Sequence, residues 1–210
     1  MAAVSGRHPA QENSGEENTP AEFRAAVAAL RATGVRPEVE LADTPAPRKL
    51  APYAFALEAS VADEEGEELA GGRLVLLHEP DGHEAWDGRF RLVTLVRAEL
   101  EPEMAHDPLL ADVGWSWLMD ALDQQGAQRT EPSGTVSRSS SHYFGALADR
   151  QASTEIEIRA SWTPVGTDWA AHLRGWCELL CLCAGLPPTL PAPPSQQPGS
   201  VVPMPTRRRP

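Results

Sequence analysis

The stretch from Arg89 to Arg97, RFRLVTLVR, narrows the possible folds more than any other. Phe90, Leu92, Thr94 and Val96 alternate with Arg89, Arg91, Val93, Leu95 and Arg97, the two-residue period of a β-strand. Its middle is apolar on both faces and its charge sits at the ends, which predicts a central strand with neighbours on either side. Two pairs, Glu101-Pro102 and Asp107-Pro108, follow at once. Each sets a capping carboxylate before a residue whose missing N–H costs nothing in a first helical turn. Leu110, Val113, Trp117 and Ala121, flanked by Gly114, Leu118 and Leu122, then recur at helical spacing up to Gly126. The segment thus predicts a helix laid on a sheet, one half of a core.

The other elements follow from the same reasoning. Thr19-Pro20-Ala21-Glu22 reads as a capping box opening a helix with Phe23, Ala26, Val27 and Leu30 on one face, closed by Gly34. Residues 38–41 suggest a short strand that Pro37, Pro45 and Pro47 hold at an edge. Residues 53–61 and 74–77 read as strands, with the acidic DEEGEELAGG of residues 63–72 as a solvated hairpin loop between them and a turn at 79–82. Residues 128–141, interrupted by Pro132 and Gly134, read as a bent or edge strand. Residues 154–162 alternate most cleanly. A last helix opens at Thr167-Asp168, with Trp169, His172, Leu173, Trp176, Cys177, Leu180 and Ala184 on one side, and ends at Gly185. The order predicts an α+β fold: a mainly antiparallel sheet of about five to six strands with three main helices packed on one face. With 210 residues, 41% of them hydrophobic, the chain suits one domain. We expect it at residues 19–188, between a disordered tail at 1–18 and a proline-rich disordered tail at 189–210.

Charge constrains the partners. Thirty Asp and Glu against 18 Lys and Arg leave a net charge of -12, which weighs against non-specific binding to nucleic acid or anionic membranes. Arg207, Arg208 and Arg209 form the one local cationic run. No apolar stretch approaches the roughly 20 residues of a membrane span, and the N-terminus lacks the apolar middle of a signal peptide. Cys177, Cys181 and Cys183 fall within one helix and do not form a disulfide framework. These features together predict a cytoplasmic protein.

Few residues suggest chemistry. His78 and His83, with Asp81, Glu84 and Asp87 nearby, form the only close group of common metal ligands. Four residues between the histidines match no HExxH arrangement, so the segment reads first as a solvated hairpin end. Ser139, Ser140 and Ser141 beside His142 lack the G-x-S-x-G elbow of an activated serine. Cys177 and Cys181, one helical turn apart, have no second ligand pair and read as buried thiols. There is no G-x-G-x-x-G and no Walker loop. We therefore expect no catalytic residue and no cofactor. Trp86, in a turn, and Trp115, at the border of its helical stripe, are candidate anchors for a partner protein, although general burial preferences favour a role covering the end of the sheet.

Three strings, HEPDGHEAWDGRFRLVTLVRAELEPEM, DPLLADVGWSWL and STEIEIRASWTP, are similar to those of an actinobacterial family known as domain of unknown function 3000. The resemblance runs from about Pro20 to Pro188. It implies a cytoplasmic bacterial protein and brings no catalytic residue. The order of elements also resembles the small fold of bacterial secretion chaperones and related adaptors. The expected function is a non-catalytic protein-interaction or chaperone-like adaptor module. The alternative is a small metal-assisted hydrolase built on the His78 and His83 turn, with Asp81 as a further ligand.

Overall fold

The computed structural model describes residues 19–101, 104 and 107–188. The segments predicted to be disordered, 1–18 and 189–210, lie outside the described residues. Six strands form one sheet: β1 (Val39–Thr44), β2 (Tyr53–Ala62), β3 (Glu68–His83), β4 (Gly88–Glu99), β5 (Arg129–Ser141) and β6 (Ser153–Pro164). Three helices accompany them, α1 (Ala21–Ala32), α2 (Leu110–Gln124) and α3 (Trp169–Cys183). The strand order is β1-β2-β3-β4-β6-β5 and every pairing is antiparallel. This is the α+β architecture that the periodicities predict. β4 lies between β3 and β6, as its doubly apolar middle requires.

Side chains that alternate along the strands build one large core on the helical side of the sheet. Leu57, Leu74, Leu76, Leu92, Val96, Ile156, Ile158 and Trp162 are all buried there. α3 lies over them and is itself covered by α1 and α2, so twelve of its fifteen residues are buried. Two glycines permit this close approach. A Cβ on Gly72 would lie 3.1 Å from Leu180 Cδ2 and 3.2 Å from Trp176 Cζ2, and one on Gly175 would lie 2.9 Å from Leu122 Cδ2. Asp168 caps α3 by accepting from Ala171 N at 3.0 Å. Gly126 and Gly185, with φ of 73° and 75°, end α2 and α3.

Four local expectations are corrected. The acidic loop shrinks to a tight turn in which Asp63 Oδ1 accepts from Glu67 N, and β3 already begins at Glu68. No turn forms at residues 79–82. β3 passes through Pro80 by shifting register between His78 and His83, so the ladder does not need the proline's missing N–H. The chain reverses instead at a 3₁₀ turn, Glu84–Trp86, closed by Asp87 with φ of 50°. The helix cap expected at Thr19 is replaced by Pro20, which makes no side-chain cap, and Glu22 turns towards the sheet. In α2 the buried seam is Leu110, Gly114, Leu118, Ala121 and Leu122, while Val113 and Trp117 are half-buried. The rotation follows from contact with both α3 and β5, where Gly114 meets Ile156 and Val136.

Candidate functional site

His78 projects from β3 into the helical side of the sheet and is fully buried. Its ring stacks on Phe90 at a centroid distance of 4.2 Å and also meets Phe23 and Tyr53. Nδ1 lies 3.1 Å from the Arg89 carbonyl oxygen; since a carbonyl only accepts, Nδ1 carries the proton. Nε2 faces Glu22 Oε1 at 3.3 Å, and Arg89 Nη1 donates to the same oxygen at 2.9 Å. The His78 Nε2 makes no hydrogen bond there. Glu22, His78 and Arg89 thus tie the first turn of α1 to the hairpin of β3 and β4. His83 stands in different surroundings, exposed and stacked on Trp86 at 4.4 Å, with Asp81 exposed nearby in sequence. Among the described residues, no group of three or more His, Cys, Asp or Glu is arranged to hold a metal.

The other candidates take up structural positions. Ser139, Ser140, Ser141 and His142 lie exposed at the end of β5, where the Ser140 hydroxyl bonds to Thr154 Oγ1 at 3.0 Å. The three thiols are free and buried. Burial pushes Cys177 and Cys183 up to about 12 and Cys181 to about 11, so none is a thiolate near neutrality. Trp115 packs on the main core over Gly134, where a Cβ would lie 2.8 Å from its Cζ3. Trp86 packs on a small second core of Ala56, Val75 and Leu77. Those residues alternate with main-core residues along β2 and β3, so this second core lies on the sheet face away from the helices. Both tryptophans are half-buried. No helix among the described residues is long and apolar enough to cross a membrane.

That outer face carries a group of residues which the sequence reading treated only as strand-end charge. Arg91 is 7% exposed. Its guanidinium crosses β6, donating through Nη1 to Thr163 Oγ1 at 3.0 Å and through Nη2 to Ser133 Oγ at 3.0 Å and Ser161 Oγ at 2.8 Å. Thr163 in turn donates to the Trp86 carbonyl. Burial lowers the Arg91 pKa from its ordinary value while Glu131 raises it, and a guanidinium stays charged throughout. Beside this cluster lies a depression of about 540 Å³, with Val75, Val93 and Leu95 as floor and Arg73, Ser133 and Ser161 at its edges. Arg73 donates through Nη2 to Thr44 Oγ1 and the Pro45 carbonyl, and its Nε is buried without a hydrogen-bond partner. Its cross-strand neighbour is Glu58, yet neither Arg73 nor Arg91 forms an ion pair among the described residues. Nothing in the spacing of Arg73 and Arg91 signals this; only the pairing of β3 with β4 and of β4 with β6 brings them onto one face.

Among the described residues, large apolar side chains are exposed at Leu50, Leu109, Phe144, Leu147 and Val165, two of them close together. Phe144, 81% exposed, and Leu147, 46% exposed, occupy the connection between β5 and β6. Among the described residues β5 pairs only with β6, so its other side is a sheet edge.

Comparison with curated proteins and with solved structures returns no match. Residues 19–192, which take in every strand and helix of the sheet and its helical layer, match the family described as protein of unknown function (DUF3000), and the chain belongs to that family.

Proposed function

We propose that the protein is a non-catalytic, cytoplasmic interaction module, adaptor-like or chaperone-like, that engages a protein partner through the end of the β5–β6 hairpin. The observation that carries this reading is the exposure of Phe144 and Leu147 together at the tip of a hairpin whose outer strand is an edge of the described sheet. Large apolar side chains held outside the core mark contact sites, and an edge strand offers backbone groups to an added strand. The groups that usually carry chemistry are engaged elsewhere: the thiols are buried and His78 is held by Arg89 and Glu22. Free thiols agree with a reducing compartment.

The test is affinity capture from the host with the full chain and with a Phe144→Ser, Leu147→Ser double variant. The expected result is a reproducible partner that the variant loses while its melting temperature is unchanged. Equal capture by both proteins removes the hairpin from the interface.

A further inference from the structure

Among the described residues, two that are not glycine hold a left-handed backbone, Asp87 with φ of 50° and Glu131 with φ of 49°. Asp87 closes the turn Glu84–Trp86 between β3 and β4. Glu131 sits with Pro132 in the bulge of β5, where the register against β6 shifts between Thr130 and Ser133. Asp tolerates this conformation better than Glu does, and such positions persist where their surroundings hold them. The turn and the bulge are distant in sequence, and β6 lies between β4 and β5 in the sheet.

One chain of hydrogen bonds nevertheless joins them. Ser133 Oγ, beside the bulge, accepts from Arg91 Nη2 at 3.0 Å. Arg91 Nη1 donates to Thr163 Oγ1 at 3.0 Å, and Thr163 Oγ1 donates to the Trp86 carbonyl inside the turn. Ser161 steadies the guanidinium from the side, through its hydroxyl at 2.8 Å and its carbonyl at 3.3 Å. The directions are fixed: a guanidinium only donates, and Thr163 uses its single proton on Trp86, so its oxygen accepts from Arg91. Arg91 and Thr163 are both buried, so a broken link leaves a buried group unpaired. Close contacts restrict the backbone at both ends. A Cβ on Gly88 would lie 2.9 Å from Thr163 Cγ2, and one on Gly134 would collide with the Arg159 carbonyl of β6.

We propose that Arg91 is a strut that couples the Trp86 turn to the β5 bulge, so that a change at either end alters the stability of the other. Arg91 is in this sense a positioning residue. The turn presents the half-buried Trp86 ring, stacked on His83, and the bulge belongs to an edge strand of the described sheet. A contact made at one of these places is therefore felt at the other, in both directions, because such coupling is reciprocal. The strut lies wholly within this chain, so it holds whether or not a partner meets the hairpin tip that carries the adaptor reading.

The test is residue-resolved amide hydrogen exchange of the full-length protein by NMR. It is read in the bulge, at residues 129–134, and at Asp87, whose N–H closes the turn on the Glu84 carbonyl at 3.2 Å. Ser133→Ala removes the end link from an exposed position and leaves Arg91 its bonds to Ser161 and Thr163, so the fold is kept. Exchange in the bulge should quicken about tenfold, the loss expected for one hydrogen bond to a charged group. Asp87 should quicken with it, while β1 and β2 are unchanged. Ser133→Thr keeps the hydroxyl and should leave both places as in the wild type. Thr163→Val cuts the chain in its middle: Asp87 should quicken, and adding Ser133→Ala should then make it no faster. Quickening confined to the bulge in Ser133→Ala, or effects of the two substitutions that simply add at Asp87, would overturn the proposal.

Discussion

Trp162 Nε1 donates to His172 Nδ1 across 3.1 Å in the middle of the core, and a ring nitrogen that accepts carries no proton. His172 is therefore neutral in the fold. Burial lowers its pKa from 6.5 to about 4, with Asp168 raising it slightly and Arg129 lowering it. In the unfolded chain the ring titrates near 6.5. Between these two values the unfolded state binds the extra proton, so stability falls as the pH falls. The contribution is complete above pH 6.5 and gone below about pH 4. The shift corresponds to about 3 kcal/mol. Urea denaturation between pH 7 and pH 4 should show this slope, and His172→Gln should flatten it; an unchanged slope would assign the acid sensitivity to other groups. The cysteines give a second residue-level prediction. With thiols at about 11 to 12 through burial, iodoacetamide at pH 8 should modify none of them in the native protein and all three in denaturant. Rapid native labelling of any one would show that α3 opens.

The helices are placed by glycines and side-chain ties as much as by their apolar stripes. α2 crosses α3 where a Cβ on Gly175 would meet Leu122 Cδ2 at 2.9 Å, Leu122 Cα at 3.0 Å and the Ala121 carbonyl at 3.2 Å. Two of those atoms are backbone and cannot rotate away. Gly175→Ala should therefore destabilise the protein by about 1–3 kcal/mol through overpacking, although Ala is the better helix former by about 1 kcal/mol. A melting temperature equal to the wild type would show that the helices can part without cost. α1 is attached differently, through Glu22 to Arg89 and His78. Glu22→Gln should loosen that helix by about 1 kcal/mol or less, since Glu22 and Arg89 are both partly exposed. Faster hydrogen exchange confined to residues 21–32, with the sheet unaffected, is the measurement that checks it.

At the scale of the whole molecule the sheet is protected from its centre outward. β3, β4 and β6 have neighbours on both sides, and α3 is buried between the sheet and the other helices. β5 is exposed along nearly all of its thirteen residues and paired on one side only. Native-state hydrogen exchange should accordingly find the slowest amides in β4 and α3, exchanging only on global unfolding, and the fastest ladder amides in β5 and β1. Slow exchange along β5 would mean that a second chain covers that edge. Such cover would itself favour the adaptor reading.

The strands, the helices, their order and the α+β class were legible in the sequence because each rests on local chemistry. Alternation in residues 154–162 and 89–97, helical spacing from Leu110 onward and the glycines at 126 and 185 act within a few residues of chain. The capping box at Thr19 and the turn at 79–82 were equally local signals, and both gave way to contacts from elsewhere: Glu22 meets Arg89, sixty-seven residues on, and the pairing with β4 carries β3 through Pro80. Arg91 shows the same limit at the candidate site. As a strand-end charge it reads as solvated, but it is buried because β6 lays Ser161 and Thr163 beside it and the bulged β5 adds Ser133. Local propensity determined which elements form; which side chains share a face depends on long-range register, and that was decided only when the six strands assembled.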